Sequence, residues 1–323
     1  MIIKPIKFSW DNSFPIFAAE DYLRSIADEY GWIGGFIDNQ LKFVLSYIVK
    51  HKLFFKYLQF QMETIYLDPS LTTKDEKNFL NSTVDFLSGE GFDFIIQPPT
   101  NTVFNTFPDH SIYAPFGSYI LDLRGSEDDL WSRIHQKHKN VIRRADKNNV
   151  EIRVGNQYRD MAYEILKETM ERSRKGFEEY NRFIQLIESL GNNVRCFVPF
   201  YQDKAQGCAI YLYSNFCVYY LYGGSIESPF LGSLNLMQWE AIKYFKSLNV
   251  QFFDFVGARL QPEEGSKMEG IQRFKSRFGA EMKKGYLWKM PLKKGRYDLY
   301  RCLLIMKNRK RTVDIIEEEN HKL

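Results

Sequence analysis

Phe252-Phe253-Asp254-Phe255-Val256, followed after a loop by Met268-Glu269-Gly270-Ile271-Gln272-Arg273-Phe274-Lys275-Ser276-Arg277-Phe278-Gly279, is the stretch on which the reading of this chain turns. The first run has the length and apolar content of a buried strand. Gly257, Pro262 and Gly265 mark the loop after it. Met268 to Phe278 reads as a helix stopped by Gly279. Ile271, Phe274 and Phe278 share one face at helical spacing, and Lys275 falls on that face while Arg273 and Arg277 point away. A lysine so placed either lies at the edge of the stripe with its ammonium in water or serves a site inside the fold. Asp254, inside an apolar strand, needs a partner: a structural ion pair first, a substrate amine second.

Working back from this stretch, Val194–Tyr201, Gln206–Tyr213 and Phe216–Tyr222 read as strands separated by short polar turns, and Leu234–Leu248 as a helix before the closing strand Gln251–Val256. The same order occurs earlier: strands Trp32–Ile37, Leu41–Val49 and Leu53–Met62, helix Thr73–Leu87, strand Phe92–Ile96. A shared order in unlike sequences predicts a duplicated fold. At 323 residues the chain is also long for a single core. The expected class is α/β (α+β), two tandem domains each with a mixed, mostly antiparallel sheet flanked by helices.

Between the copies, Ser118–Leu123 reads as a strand and Ser126–Asn149 as one long helix opened by a Ser126/Asp129 capping box. Leu130, Ile134, Val141, Ile142 and Ala145 form its inner stripe. Arg133, Lys137, Lys139, Arg143, Arg144 and Lys147 lie outside, with Asp146 the sole acid after Asp129. Such a face is either merely solvated or attracts phosphates. Glu151–Val154 is a further strand, and Arg159–Arg174 and Tyr180–Leu190 are helices. A last amphipathic helix, Arg296–Lys310, sets Tyr297, Tyr300, Leu303, Leu304 and Met306 beside Arg301, Lys307, Arg309, Lys310 and Arg311. It packs on the body or lies on an anionic membrane surface. Glu317-Glu318-Glu319 reads as a frayed acidic end.

No apolar run is long enough to span a bilayer, and the first residues lack the apolar core of a signal peptide. Cys196, Cys208, Cys217 and Cys302 are scattered without a Cys-x-x-Cys pair, as in reduced core residues of a cytoplasmic protein rather than a zinc site. No hydrolase elbow, zinc-protease motif, Walker loop or dinucleotide fingerprint occurs, which favours a reaction without metal or cofactor.

Three stretches together resemble the Fem family of aminoacyltransferases, closest to its short FemX type. They are the basic helix from Leu130-Trp131-Ser132 to Val150; Tyr220-Leu221-Tyr222-Gly223-Gly224-Ser225 with Leu236-Met237-Gln238-Trp239-Glu240; and Phe253-Asp254-Phe255 with Phe274-Lys275-Ser276-Arg277-Phe278-Gly279. The likeness covers roughly residues 118–290. It implies two copies of the GNAT acyltransferase fold, residues 1–116 and 117–292, with a C-terminal helix and tail over 293–323. It also implies transfer of an amino acid from aminoacyl-tRNA to an amine of a UDP- or lipid-linked peptidoglycan precursor, at the inner membrane face. Lys275 matches the family's catalytic lysine. Arg182 lies where the family places an arginine for the acceptor's diphosphate, with a solvent arginine as the alternative. Tyr220 and Tyr222 either line the notch between splayed GNAT strands or pack the core. One departure is Pro229-Phe230-Leu231-Gly232-Ser233-Leu234, which keeps a single glycine of the loop that holds coenzyme A in other GNAT proteins. That disfavours the alternative function, acyl-coenzyme-A-dependent N-acylation of an amino sugar or cell-surface polysaccharide precursor. A second departure is the missing coiled-coil arm of some Fem proteins. A catalytically dead nucleic-acid or membrane-binding module is the third reading.

Overall fold

The computed structural model describes residues 1–308 and 312–321. The N-terminal half contains β1 (Ile2–Ile6), α1 (Glu20–Ile26), β2 (Tyr30–Ile37), β3 (Gln40–Lys52), β4 (Phe55–Phe60), β5 (Ile65–Tyr66), α2 (Thr73–Gly89) and β6 (Phe94–Ile95). Then follow β7 (Ile112–Asp122), α3 (Glu127–Arg133), α4 (Gln136–Lys147), β8 (Glu151–Val154), α5 (Arg159–Arg172) and α6 (Tyr180–Leu190). The second meander comprises β9 (Val194–Tyr201), β10 (Lys204–Ala205), β11 (Gly207–Tyr213) and β12 (Cys217–Ser225), closed by α7 (Ser233–Ser247) and β13 (Phe252–Asp254). The chain continues through α8 (Lys267–Ser276), β14 (Glu281–Pro291), α9 (Lys294–Asn308) and α10 (Ile315–Asn320). The expected mixed α/β class is what the chain adopts.

All the strands join one sheet, in the order β1-β2-β3-β4-β6-β14-β7-β13-β12-β11-β9-β10, with β5 on β3 and β8 on β9. β14 is the weld. Glu281 to Lys289 pair antiparallel with β7, and Met290 and Pro291 pair with Ile95 and Phe94 of β6. No strand was expected there, because Lys283, Lys284 and Lys289 interrupt the apolar pattern. Lys284 is exposed, and the charges of the other two are met from elsewhere: Lys283 by Glu63 at 2.8 Å, and Lys289 by Asp314 at 2.6 Å and Glu317 at 2.9 Å. A core shared by both halves fills the other face, where Phe17, Leu23 and Val44 meet Phe183, Leu186 and Leu212. The division at 116/117 falls inside β7, so as a proposal it separates two repeats that share a strand rather than two detached bodies.

Four expectations are corrected. The long helix is two: the chain is extended at Ile134 and His135, and α4 restarts with the His135 ring accepting from Lys137 N at 3.1 Å. His135 N donates to Arg277 O at 2.8 Å, a tertiary bond that a continuous helix would forbid. The inner face of α8 is Gln272 and Lys275, with Phe278 buried just beyond its end, while Ile271 is 40% exposed. That face meets backbone carbonyls, so polar donors rather than Ile271 fit it. The acidic end is no frayed tail: α10 buries Ile316 completely and places all three glutamates against cations. Cys302 is exposed, whereas the other three cysteines are buried.

α9 packs on the body through Tyr297 and Tyr300, which lie on Phe55, Tyr57 and Phe94. Leu299, Leu303 and Met306 stay exposed. Arg309, Lys310 and Arg311 lie outside the described residues.

Candidate functional site

β12 and β13 run parallel from Cys217↔Phe252 to Tyr219↔Asp254, and there the pairing stops. β12 continues to Ser225. The other strand is drawn off by β7: Phe255 N donates to Tyr119 O at 2.9 Å and Ala258 N to Gly117 O at 2.7 Å. Val256 and Gly257 turn with φ of +43° and +56°, which aims their carbonyls at α8. The strands therefore splay, and the notch is the place where β12, beyond Tyr219, has no strand partner on the side of the Val256–Ala258 turn among the described residues.

Lys275 reaches this turn from α8. Its Nζ donates to Val256 O and, at 2.8 Å, to Gly257 O. The residue is 8% exposed. Burial pushes its pKa down to about 8, against the pull of the Asp254 charge. An ammonium has three N–H groups; two are tied to carbonyls here, so the direction of the third is set.

Among the described residues Asp254 is held by hydrogen bonds and not by an ion pair. Its Oδ1 accepts from Ser118 Oγ and from Val256 N at 2.7 Å. Oδ2 accepts no hydrogen bond from the described residues. Burial pushes the carboxyl up to about 6, while the Ser118 and Val256 donors oppose the shift. Glu63 and Lys283 are close enough to act on it too, with opposite signs. The Val256 backbone thus links Asp254, at its N–H, to Lys275, at its carbonyl, and the structure brings both together.

Tyr220 borders the same place, edge-on to Phe255 at 6.5 Å and stacked on Tyr211 at 5.4 Å. Tyr222 does not. Leu221 is bulged, since Tyr211 pairs with Tyr220 but Ile210 with Tyr222. The bulge turns Tyr222 to the opposite face, where its hydroxyl donates to Glu178 Oε1 at 2.6 Å. Arg182 is exposed on α6 at the seam between the halves; the pKa of Lys50 on β3 is lowered by burial first and by the Arg182 charge second. No contact joins Arg182 to Lys275 or Asp254 among the described residues.

On the far side of α8, α4 presents its basic face. Lys137, Arg143 and Arg144 are exposed and in no ion pair among the described residues. Arg143 lies over Trp131 and Arg144 over Phe230. Lys139 donates to Ser132 O at 2.9 Å, and Arg133 is exposed at the end of α3. Between α4 and α8 runs a groove of about 370 Å³ lined by Lys137, His138, Asn235, Arg273, Phe274 and Arg277 among others. Burial, with Arg277 nearby, pushes His138 down to about 4, so it is neutral there. Its buried Nδ1 has no hydrogen-bond partner among the described residues. Sequence reasoning missed Arg273 and Arg277 as groove residues; their position on the helix face opposite Lys275 was the available signal. Among the described residues no cluster of His, Cys, Asp and Glu could hold a metal ion.

The loop before α7 is closed by the protein itself. Gly232 has φ +95°, and a Cβ there would lie 2.1 Å from Val141 O of α4. Gly232→Ala is expected to destabilise the fold by roughly 2 kcal/mol or more, through both strain and displacement of α4. A lowered urea midpoint at unchanged m-value checks it.

The FemAB family model matches residues 202–304. The crystal structure of FemX superposes with a TM-score of 0.68 at 13% identity, covering 88% of this chain and 94% of that one. L-PGS from Bacillus licheniformis gives 0.51 at 10% identity, covering 83% and 85% of the two chains. A tandem GNAT protein from the clavulanic acid biosynthesis pathway gives 0.50 at 9% identity, covering 84% and 86%. No curated protein matches. Likeness at these identities is likeness of fold, and the fold is the tandem GNAT one.

Proposed function

We propose that this chain, whose residues 202–304 match the FemAB family model, is an acyltransferase that moves an amino acid from aminoacyl-tRNA to an amine of a peptidoglycan precursor. The observation that carries the reading is the Lys275 ammonium, buried beside the notch with two N–H groups occupied and one left to act. The acceptor amine attacks the ester carbonyl, whose oxygen becomes an oxyanion. The third Lys275 N–H meets that oxygen. Asp254 receives the acceptor ammonium through its open Oδ2 and takes its proton, which frees the nitrogen lone pair. Collapse of the tetrahedral intermediate re-forms the carbonyl and expels the ribose oxygen, which takes, by way of a water molecule, the second proton that the attacking nitrogen gives up.

Arg133, Lys137, Lys139, Arg143 and Arg144, with Arg273 and Arg277 across the groove, suit the donor's phosphates. Arg182 with Lys50 suits the acceptor's diphosphate. Tyr220 walls the notch. Leu299, Leu303 and Met306 beside the cations of α9 suit an anionic membrane surface that carries a lipid-linked acceptor.

The test incubates the protein with charged tRNA and UDP- or lipid-linked muropeptide. A product heavier by one aminoacyl residue is expected by mass spectrometry. No product with any charged tRNA, together with calorimetric binding of acetyl-coenzyme A, would install the acyl-coenzyme-A reading instead.

A further inference from the structure

The turn from Val256 to Arg259 is gripped from two directions. α8 holds its carbonyls: Lys275 those of Val256 and Gly257, and Gln272 Nε2, one turn earlier, that of Arg259 at 2.6 Å. α10 holds its side chain. The Arg259 guanidinium lies between Glu318 and Glu319, the latter at 2.6 Å. The Arg259 side chain is only 16% exposed, so water competes weakly for these pairs. α10 is itself anchored. Ile316 is buried among Val103, Phe116 and Leu287, and its N–H donates to Gln97 Oε1 at 2.9 Å.

We propose that α10 is a strap that aims the Lys275 ammonium, with Arg259 as the positioning residue that transmits its hold. Val256 and Gly257 both have positive φ, and for Val256 that conformation is strained. A turn in this state relaxes unless its ends are pinned. The bridge from Ala258 to Gly117 pins one point, and the Arg259 clamp pins the next residue. With the clamp gone the two carbonyls swing, and Lys275 loses its fixed direction and admits water. Asp254 is the charged group that acts on Lys275, and the variants below leave that residue unaltered. The inference rests on Lys275 serving the proposed acyl transfer, so the test has a readout apart from turnover.

In the full chain, Glu318→Gln/Glu319→Gln removes the charges at constant shape, Arg259→Ala removes the clamp, and Arg259→Lys is the conservative variant. Thermal unfolding verifies that each is folded. The Lys275 ammonium is followed against pH by NMR in protein labelled with ¹⁵N-lysine, its signal identified by its loss in Lys275→Met. In the charge-removed and alanine variants the titration midpoint is expected to rise by on the order of one pH unit, as water reaches the nitrogen. kcat is expected to fall about tenfold with both KM values nearly unchanged, and Arg259→Lys to recover much of both effects. Folded variants with an unmoved Lys275 midpoint overturn the strap. A shifted midpoint in a protein whose wild type transfers no amino acid upholds the strap and removes the aminoacyl-transfer reading.

Discussion

Lys275→Ala is expected to lower kcat by about a hundred- to a thousandfold, the usual effect of removing one oxyanion donor. KM for both substrates is expected to change little, because the third N–H acts only once negative charge has formed on the oxygen. The fold survives, since the two carbonyls freed by the truncation can be reached by water in the vacated space. The pH profile supplies a second check. Lys275 must be charged and its pKa is pushed down to about 8, so the rate falls as pH rises through that value. Asp254 must be ionised and its pKa is pushed up to about 6, so the rate rises through 6. A bell with its top near neutrality follows. In Lys275→Arg the alkaline limb disappears while the acid limb stays, because a guanidinium does not titrate there.

Stability moves the other way over the alkaline limb. Between about 8 and the ordinary lysine value of 10.5 the unfolded chain holds the proton that the folded lysine has lost. The contribution of this group to stability therefore rises with pH. Falling rate with undiminished stability across that window separates loss of the ammonium from unfolding. A folded Lys275→Ala protein at full rate would leave the reaction without its proposed electrostatic centre.

Arg143→Glu/Arg144→Glu is the second large effect. Each substitution removes a cation from the exposed face of α4 and adds an anion; among the described residues Arg143 and Arg144 are in no ion pair and give up only their ring contacts with Trp131 and Phe230. KM for charged tRNA is expected to rise roughly a hundredfold near physiological salt, and the slope of log affinity against log salt to fall by about two. KM for the muropeptide is expected to stay constant, since these residues lie across α8 from the notch. Filter binding at three salt concentrations reads the slope. Unchanged binding and turnover would reduce the basic face to a solvated surface. Salt-sensitive binding with no turnover in the wild type would instead favour a binding module.

How much of this was legible beforehand depends on whether a feature carries its own signal. Glu151–Val154, Tyr180–Leu190 and Val194–Tyr201 were read with the bounds they have, and the Ser126/Asp129 capping box is formed in both directions. Periodicity and capping are local, so the amino-acid order alone determined them, along with the basic face of α4, the Lys275 motif and the repeated meander. Several features had no local signal. β14 reads poorly as a strand because Lys283 is neutralised by Glu63, 220 positions away. The break at His135 answers to the carbonyl of Arg277, and Tyr222 is turned from the notch by one bulged residue. Whether the Lys275 ammonium lies in water or inside the fold could not be settled from its place on a helix wheel. That depended on two carbonyls turned toward it by a neighbouring strand. A side chain's spacing is written in the sequence, but the field and the solvent around it are set only when distant segments close over it.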